Sequence, residues 1–186
     1  MNKAILFLIV SVLLSCTKQE SSTQQPLPLE WNAETRITEL GIQLPEASSP
    51  VANYVNAVRV GNLLFLAGKG PNLPNGNYIT GKVGESLSIE EGKEAARLVG
   101  IAQLAVLKAE LGDLNRVKRI VKVLGMVNCG ADFTQHPQVI NGFSDLMVDV
   151  FGEKGKHARS AVGMNSLPMD IAVEVELIVE IEDDDK

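Results

Sequence analysis

Two histidines and two cysteines are all that this 186-residue chain offers of the side chains that hold zinc or relay protons in a Ser-His-Asp triad. It contains no Cys-x-x-Cys pair, no His-Glu-x-x-His helix and no nucleophile elbow, so metal-assisted hydrolysis and serine-type acyl transfer are poor readings. A metal site is not expected. Basic side chains are also outnumbered: 17 Lys and Arg stand against 23 Asp and Glu, a formal net charge of −6. Nucleic-acid binding relies on clustered cations that neutralise phosphates, and this balance argues against it. Gly68-Lys69-Gly70 lacks the GxxxxGK[ST] spacing of a phosphate loop, and no helix pattern begins directly after it.

The front of the chain holds a short apolar run. Met1-Asn2-Lys3 followed by Ala4 to Leu14 reads as a charged n-region and an h-region, well short of the ~20 residues a spanning helix needs. Leu13-Leu14-Ser15-Cys16 is similar to a bacterial lipobox. The expectation is a lipoprotein signal peptide over residues 1–15, with cleavage before Cys16 and lipidation of its thiol. Thr17, where Asp would retain the protein at an inner membrane, points to the periplasmic side of an outer membrane if the source has one. The chain is thus expected in the cell envelope, touching membrane through a lipid anchor only. Its mature form would carry 16 basic and 23 acidic side chains, a net charge of −7. Residues 16–30 are polar, with two prolines and no apolar period, and read as a flexible tether. With Cys16 acylated, Cys129 is left without a disulfide partner and is expected as a small core residue.

One folded domain is expected over residues 31–186, with Trp31 to Pro45 against its surface. Tyr54 to Val60 and Leu63 to Ala67 read as strands joined at Gly61-Asn62, a hairpin turn in which both residues need positive φ. The glycine- and proline-rich stretch Gly68 to Gly84 reads as an irregular loop. Ser88 to Leu111 is the clearest helix: Ser88 and Glu91 form a capping box, Gly112 stands at the C-terminal cap, and Ala95, Leu98, Val99, Ala102, Ala105, Val106 and Ala109 recur at helical spacing. Arg116 to Cys129 reads as a buried strand. A second helix then starts near Pro137, with Val139, Phe143, Leu146, Met147, Val150 and Phe151 as its apolar face and His136 at its exposed start.

His157 to Ile181 organises the rest. Ile171, Val173, Val175, Leu177, Val179 and Ile181 alternate with Ala172, Glu174, Glu176, Ile178 and Glu180, the pattern of a strand with one buried face. Upstream, His157, Arg159, Ala161 and Gly163 share one side of another strand, and Asn165 to Pro168 has turn chemistry. Antiparallel pairing of these two strands would let Arg159 meet Glu174. Arginine grips a carboxylate through two parallel hydrogen bonds, and a neighbouring glutamate can handle a water or a proton. An ordinary cross-strand ion pair fits the same spacing.

Arg-Ser-x-Val, then Leu-Pro, then Val-Glu-Val-Glu closely resembles the C-terminal signature of the Rid family, also called the YjgF or L-PSP endoribonuclease family. The resemblance runs from about Leu40 to Ile181 and includes Pro50 to Gly68 (PVANYVNAVRVGNLLFLAG), Leu111-Gly112-Asp113-Leu114 and Ile140-Asn141-Gly142-Phe143. The long Asp132 to Gly142 connection and the form HARSAVG are similar to its chorismate mutase-like subgroup. The resemblance implies an α+β, chorismate mutase-like fold: a mixed sheet with two helices packed on one face. It also implies a homotrimer with ligand pockets between subunits. Deaminating members hydrolyse a small imino acid or enamine to a 2-keto acid and ammonia without a cofactor. By resemblance Arg159 binds the substrate carboxylate, with the Ala161 amide as a second donor, and Glu174 positions or activates water. Tyr54 and Asn141 line the pocket; apart from the resemblance, the glycine-rich loop that begins at Gly68 reads as a mobile loop or pocket rim, with the Gly68 amide as a candidate ligand contact. Ala67 and Ala161 stand where the archetype has serine and cysteine, and a non-catalytic module that captures a small carboxylate is the alternative. His157, on the face of Arg159, reads as a structural or interfacial histidine, with an extra proton carrier near neutral pH as the alternative.

Overall fold

The computed structural model describes residues 31–47 and 52–183. The expected signal peptide, Cys16 and the tether lie outside the described residues.

Five strands form one mixed sheet: β1 (Ala57–Val60), β2 (Leu63–Lys69), β3 (Val117–Asn128), β4 (Ala158–Met164) and β5 (Val173–Ile181). Their spatial order is β1-β2-β5-β3-β4, antiparallel throughout except for the parallel β3/β4 pair. The strand with the strictest alternation, β5, takes the centre. Val173, Val175, Leu177, Val179 and Ile181 are buried against the helices, each worth roughly 1.5–3 kcal/mol relative to exposure. Glu174, Glu176 and Glu180 point to the other, helix-free face.

Three α-helices accompany the sheet: α1 (Ala33–Glu39), α2 (Ile89–Leu111) and α3 (His136–Phe151). As expected, α2 and α3 cover one face. The third helix falls within Trp31 to Pro45 and leans on α3, where Trp31 Nε1 donates to Val150 O at 2.8 Å and Arg36 Nε to Asp149 O at 3.1 Å. The Ser88–Glu91 capping box is formed and Gly112 caps α2 with φ 73°. Its apolar face is rotated from the expected one: Ala109 is exposed and Leu98 and Ala102 only half-buried, whereas Gln103, Leu104 and Leu107 are fully buried. Packing against α3 as well as the sheet widens the buried stripe. At Gly142 an added Cβ would run into the backbone carbonyl of Lys93 on α2. That close approach fixes the rotation of α3 and turns Asn141 and Ser144 towards β4.

Two further expectations need correction. The Gly61-Asn62 turn has positive φ at Gly61 only, as in a type II′ turn, whose first residue is the one needing glycine. More consequentially, β4 and β5 are not neighbours, because β3 lies between them. Residues 165–172 do not form a tight hairpin. They pass over the end of β3, where Asn128 Nδ2 donates to Asp170 Oδ1 at 2.9 Å and Asn128 N to Ala172 O at 2.9 Å. Met169 and Asp170 both adopt φ 57° to make that crossing.

Candidate functional site

Strand register places Arg159, Ala161 and Gly163 on the helix-facing side of β4, level with Val123, Gly125 and Val127 of β3. The expectation that these residues share a side holds. Because β4 is an edge strand, the Arg159 side chain reaches α3 instead of the core. One nitrogen, Nη1, donates to Asn141 Oδ1 at 2.9 Å and to Ser144 Oγ at 3.0 Å. Asn141 and Ser144 lie three residues apart and therefore share a helix face. Both Nη1 hydrogens are used by these bonds. The Nε–H and Nη2 hydrogens make no hydrogen bond among the described residues, leaving the side-on fork that matches a carboxylate.

Glu174 occupies the opposite, helix-free face of the sheet, level with Met126 and, beyond it, Val162. With β3 interposed and strands ~4.8 Å apart, β4 and β5 are roughly 10 Å from each other. Arg159 and Glu174 of one chain therefore do not meet. Nor is Glu174 an ordinary ion pair. Glu180, three turns of the pleat along the same face, is held by Lys118 Nζ at 2.7 Å and Arg119 Nε at 3.0 Å. Its pKa is lowered, chiefly by the Lys118 hydrogen bond. Glu174 makes no hydrogen bond or ion pair among the described residues, and burial, followed by repulsion from Glu176, pushes its pKa up.

The Glu174 carboxylate lies over Gly68, where an added Cβ would overlap Oε1. This close approach arises at an irregularity in β2: regular pairing with β5 breaks between Leu66 and Lys69. Gln103 of α2, fully buried, repairs the break by donating from Nε2 to Ala67 O at 2.9 Å and Val175 O at 2.8 Å. Sequence reading missed Gln103, although a lone amide inside an apolar helix face is the available signal. Tyr54, half-exposed, sits at this same end of the sheet, two residues before Asn56, whose carbonyl accepts from Ala67 N at 2.9 Å. An open cleft of ≈ 470 Å³ adjoins it on the helix-free face, lined by Val55, Phe65, Ala67, Lys122, Ser160 and Glu176.

The site residues thus fall into two half-sites. Arg159, Asn141 and Ala161 lie at the β4/α3 edge, and Glu174 and Gly68 on the far side of the sheet, while Tyr54 is exposed just before β1. Ser144 was not read as part of the first. His157 accompanies Arg159 as expected, but through Ser144, whose Oγ lies 3.0 Å from His157 Nε2. His136 is not simply exposed surface: it is half-buried with Nε2 3.4 Å from the Cys129 thiol. Burial raises the Cys129 pKa, so the thiol stays protonated. Among the described residues no group of three or more His, Cys, Asp or Glu could hold a metal ion.

Residues 34–181 match the family described as "YjgF/chorismate_mutase-like, putative endoribonuclease". Protein TCP17 of Trypanosoma cruzi is 45% identical over 146 residues, covering 78% of this chain and 91% of that protein. A Dermatophagoides farinae protein named 2-iminobutanoate/2-iminopropanoate deaminase is 30% identical over 142 residues, covering 76% and 95% respectively. A solved structure from Shewanella oneidensis, described in the same endoribonuclease terms, superposes with a TM-score of 0.78 at 32% identity, over 81% of this chain and 99% of that one. Together with the five-stranded mixed sheet and its helices, these likenesses make the chain a member of the YjgF/Rid family, with the chorismate mutase-like fold.

Proposed function

We propose that this protein hydrolyses small 2-imino acids, or their enamine tautomers, to 2-keto acids and ammonia, at sites completed by the neighbouring copies of a homotrimer. The single observation that carries the reading is the division of the site: a preset guanidinium on one side of the sheet and an unpaired glutamate of raised pKa on the other. The relative named for iminobutanoate and iminopropanoate deamination adds support at 30% identity. Assembly is supported by the helix-free face itself, where Val58, Val60, Phe65 and Val162 are all exposed and share one surface. Exposed apolar side chains spread across one face, from β1 and β2 at one side to β4 at the other, fit a protein interface.

In the proposed reaction Arg159 holds the carboxylate through Nε and Nη2, fixing the C=N carbon against a water. Glu174 of the adjacent copy takes a proton from that water as its oxygen adds to the carbon. That proton passes to the imine nitrogen, giving a neutral carbinolamine; Glu174 then carries the carbinolamine hydroxyl proton to the same nitrogen, the C–N bond breaks, ammonia leaves, and the carbonyl of the keto acid forms. A carboxyl group with a raised pKa suits both transfers near neutral pH. The test is to generate a panel of 2-imino acids in place and follow their decay with the domain from Thr17 onward and with Arg159→Ala. Acceleration that vanishes in the variant is expected. A folded trimer that accelerates none of the panel sinks the hydrolase reading.

Ala67 and Ala161 favour a second reading. They remove a hydroxyl and a thiol from the archetypal pocket, leaving an arginine that suits carboxylate capture without turnover. Binding of pyruvate that is lost in Arg159→Ala, in a protein inactive on every imine, would establish that version. Display on a lipid anchor completes the proposal, resting on the lipobox-like residues that end at Cys16. Mass spectrometry of the native N-terminus is expected to find acylated Cys16, and an intact Met1 would refute export.

A further inference from the structure

We propose that Ser144 and His157 are positioning residues for Arg159, forming a three-member hydrogen-bond chain that leaves only the side-on fork of the guanidinium for a ligand. The inference rests on the carboxylate-anchoring reading of Arg159 and extends it to two residues on different elements.

The directions of the bonds follow from donor chemistry. His157 Nδ1 lies 2.7 Å from the carbonyl oxygen of Gly155. A carbonyl only accepts, so Nδ1 carries hydrogen. Burial, followed by the neighbouring Arg159 charge, outweighs that bond and holds the His157 pKa below its ordinary value, favouring the neutral ring. Its Nε2 is then bare and accepts the Ser144 hydroxyl proton across 3.0 Å. With its hydrogen turned towards His157, Ser144 Oγ presents a lone pair to Arg159, which can only donate, across 3.0 Å. Each group has one consistent role.

The chain has a stiff support. Gly155, like Gly142, packs where a Cβ would strike backbone, here the Met147 carbonyl of α3. The His157 ring stands edge-on to Phe143 at 6.5 Å between centroids, and Phe143 is fully buried. Helix α3 thus supplies Asn141, Ser144 and the surface against which His157 rests. A guanidinium on a flexible stem loses rotamer freedom on binding a ligand. Here that ordering is already present in the free protein, and the donors left over are Nε–H and Nη2.

The test compares Ser144→Ala and His157→Leu with Ser144→Thr and His157→Gln, which keep a hydroxyl and an acceptor respectively. In nitrogen-15 NMR of the free protein, wild type is expected to show a slowly rotating Arg159 guanidinium and the Nδ1–H tautomer of His157. Ser144→Ala and His157→Leu should show fast rotation, and the two conservative variants slow rotation. In imine hydrolysis the first pair should raise KM by about tenfold with kcat nearly unchanged, since the lost ordering weakens carboxylate binding in ground and transition states alike. Guanidinium rotation as slow in Ser144→Ala as in wild type overturns the proposal, as does a fall in kcat at constant KM. If the wild type turns over no imine but the rotation pattern holds, the hydrolase reading fails and the positioning chain stands.

Discussion

Glu174→Gln is expected to lower imine hydrolysis by about 10²–10⁴-fold, the range contributed by a positioned acid–base group, while Arg159 continues to bind carboxylate. The same change should stabilise the fold at neutral pH. Burial raises the Glu174 pKa, so the charged form is disfavoured in the native state. A raised carboxylate contributes its stability below the unfolded pKa of ~4.3 and loses it as pH rises through the folded value. Glutamine has no charge to disfavour. Its advantage over wild type should therefore be greatest near pH 8 and disappear near pH 4. Because Glu174 is only half-buried, solvent screening limits the difference to under ~1 kcal/mol, or ~2–4 °C for a domain of this size. Thermal unfolding at the two pH values, beside single-turnover kinetics, checks both halves. Retained turnover, or a melting difference that does not change with pH, contradicts the role assigned to Glu174.

Such opposed effects on activity and stability are what an unpaired functional carboxylate should show, and Glu180 is the internal contrast. It lies on the same strand and the same face but is neutralised by Lys118 and Arg119. Alternation in the sequence predicts the shared face of the two glutamates. It carries no information about which of them meets a cation, since Lys118 and Arg119 come from β3, more than sixty positions away.

That distinction between local and distant information runs through the molecule. The face of β5, the capping box of α2 and the proline-led start of α3 depend on a few adjacent residues, and all three were legible. The neighbour of β4 was not. Alternation says which side of a strand is buried and nothing about its partner, so two alternating segments separated by turn residues read as a hairpin. The backbone instead crosses β3 in residues 165–172, held by Asn128 and Asp170. Gln103 and Ser144 were hidden for a related reason. Their value depends on a break in β2 and on the rotation of α3, which packing at Gly142 sets. For the same reason the family resemblance named Arg159 and Glu174 as candidates without revealing that one chain keeps them apart.

Keeping them apart has a consequence that can be measured by mixing two dead proteins. In the proposed homotrimer, Arg159→Ala and Glu174→Gln should each be inactive when assembled alone. If each site takes Arg159 from one copy and Glu174 from the next, a trimer containing both variants can hold an intact site where the two wild-type residues face each other. Random assembly from equal amounts makes about one site in four intact, because each partner contributes its wild-type residue half the time in a closed cyclic ring. Co-expression with two different affinity tags, followed by purification of doubly tagged trimers, should recover activity of that order or somewhat higher, since homotrimers are removed. A site built within one chain predicts none, because every chain carries one of the two lesions. The geometry already disfavours the within-chain version: bringing Arg159 and Glu174 together would require one of them to pass through the sheet, past β3 and its buried Val123 and Val127. Recovered turnover would therefore identify the second subunit as a chemical participant in the site.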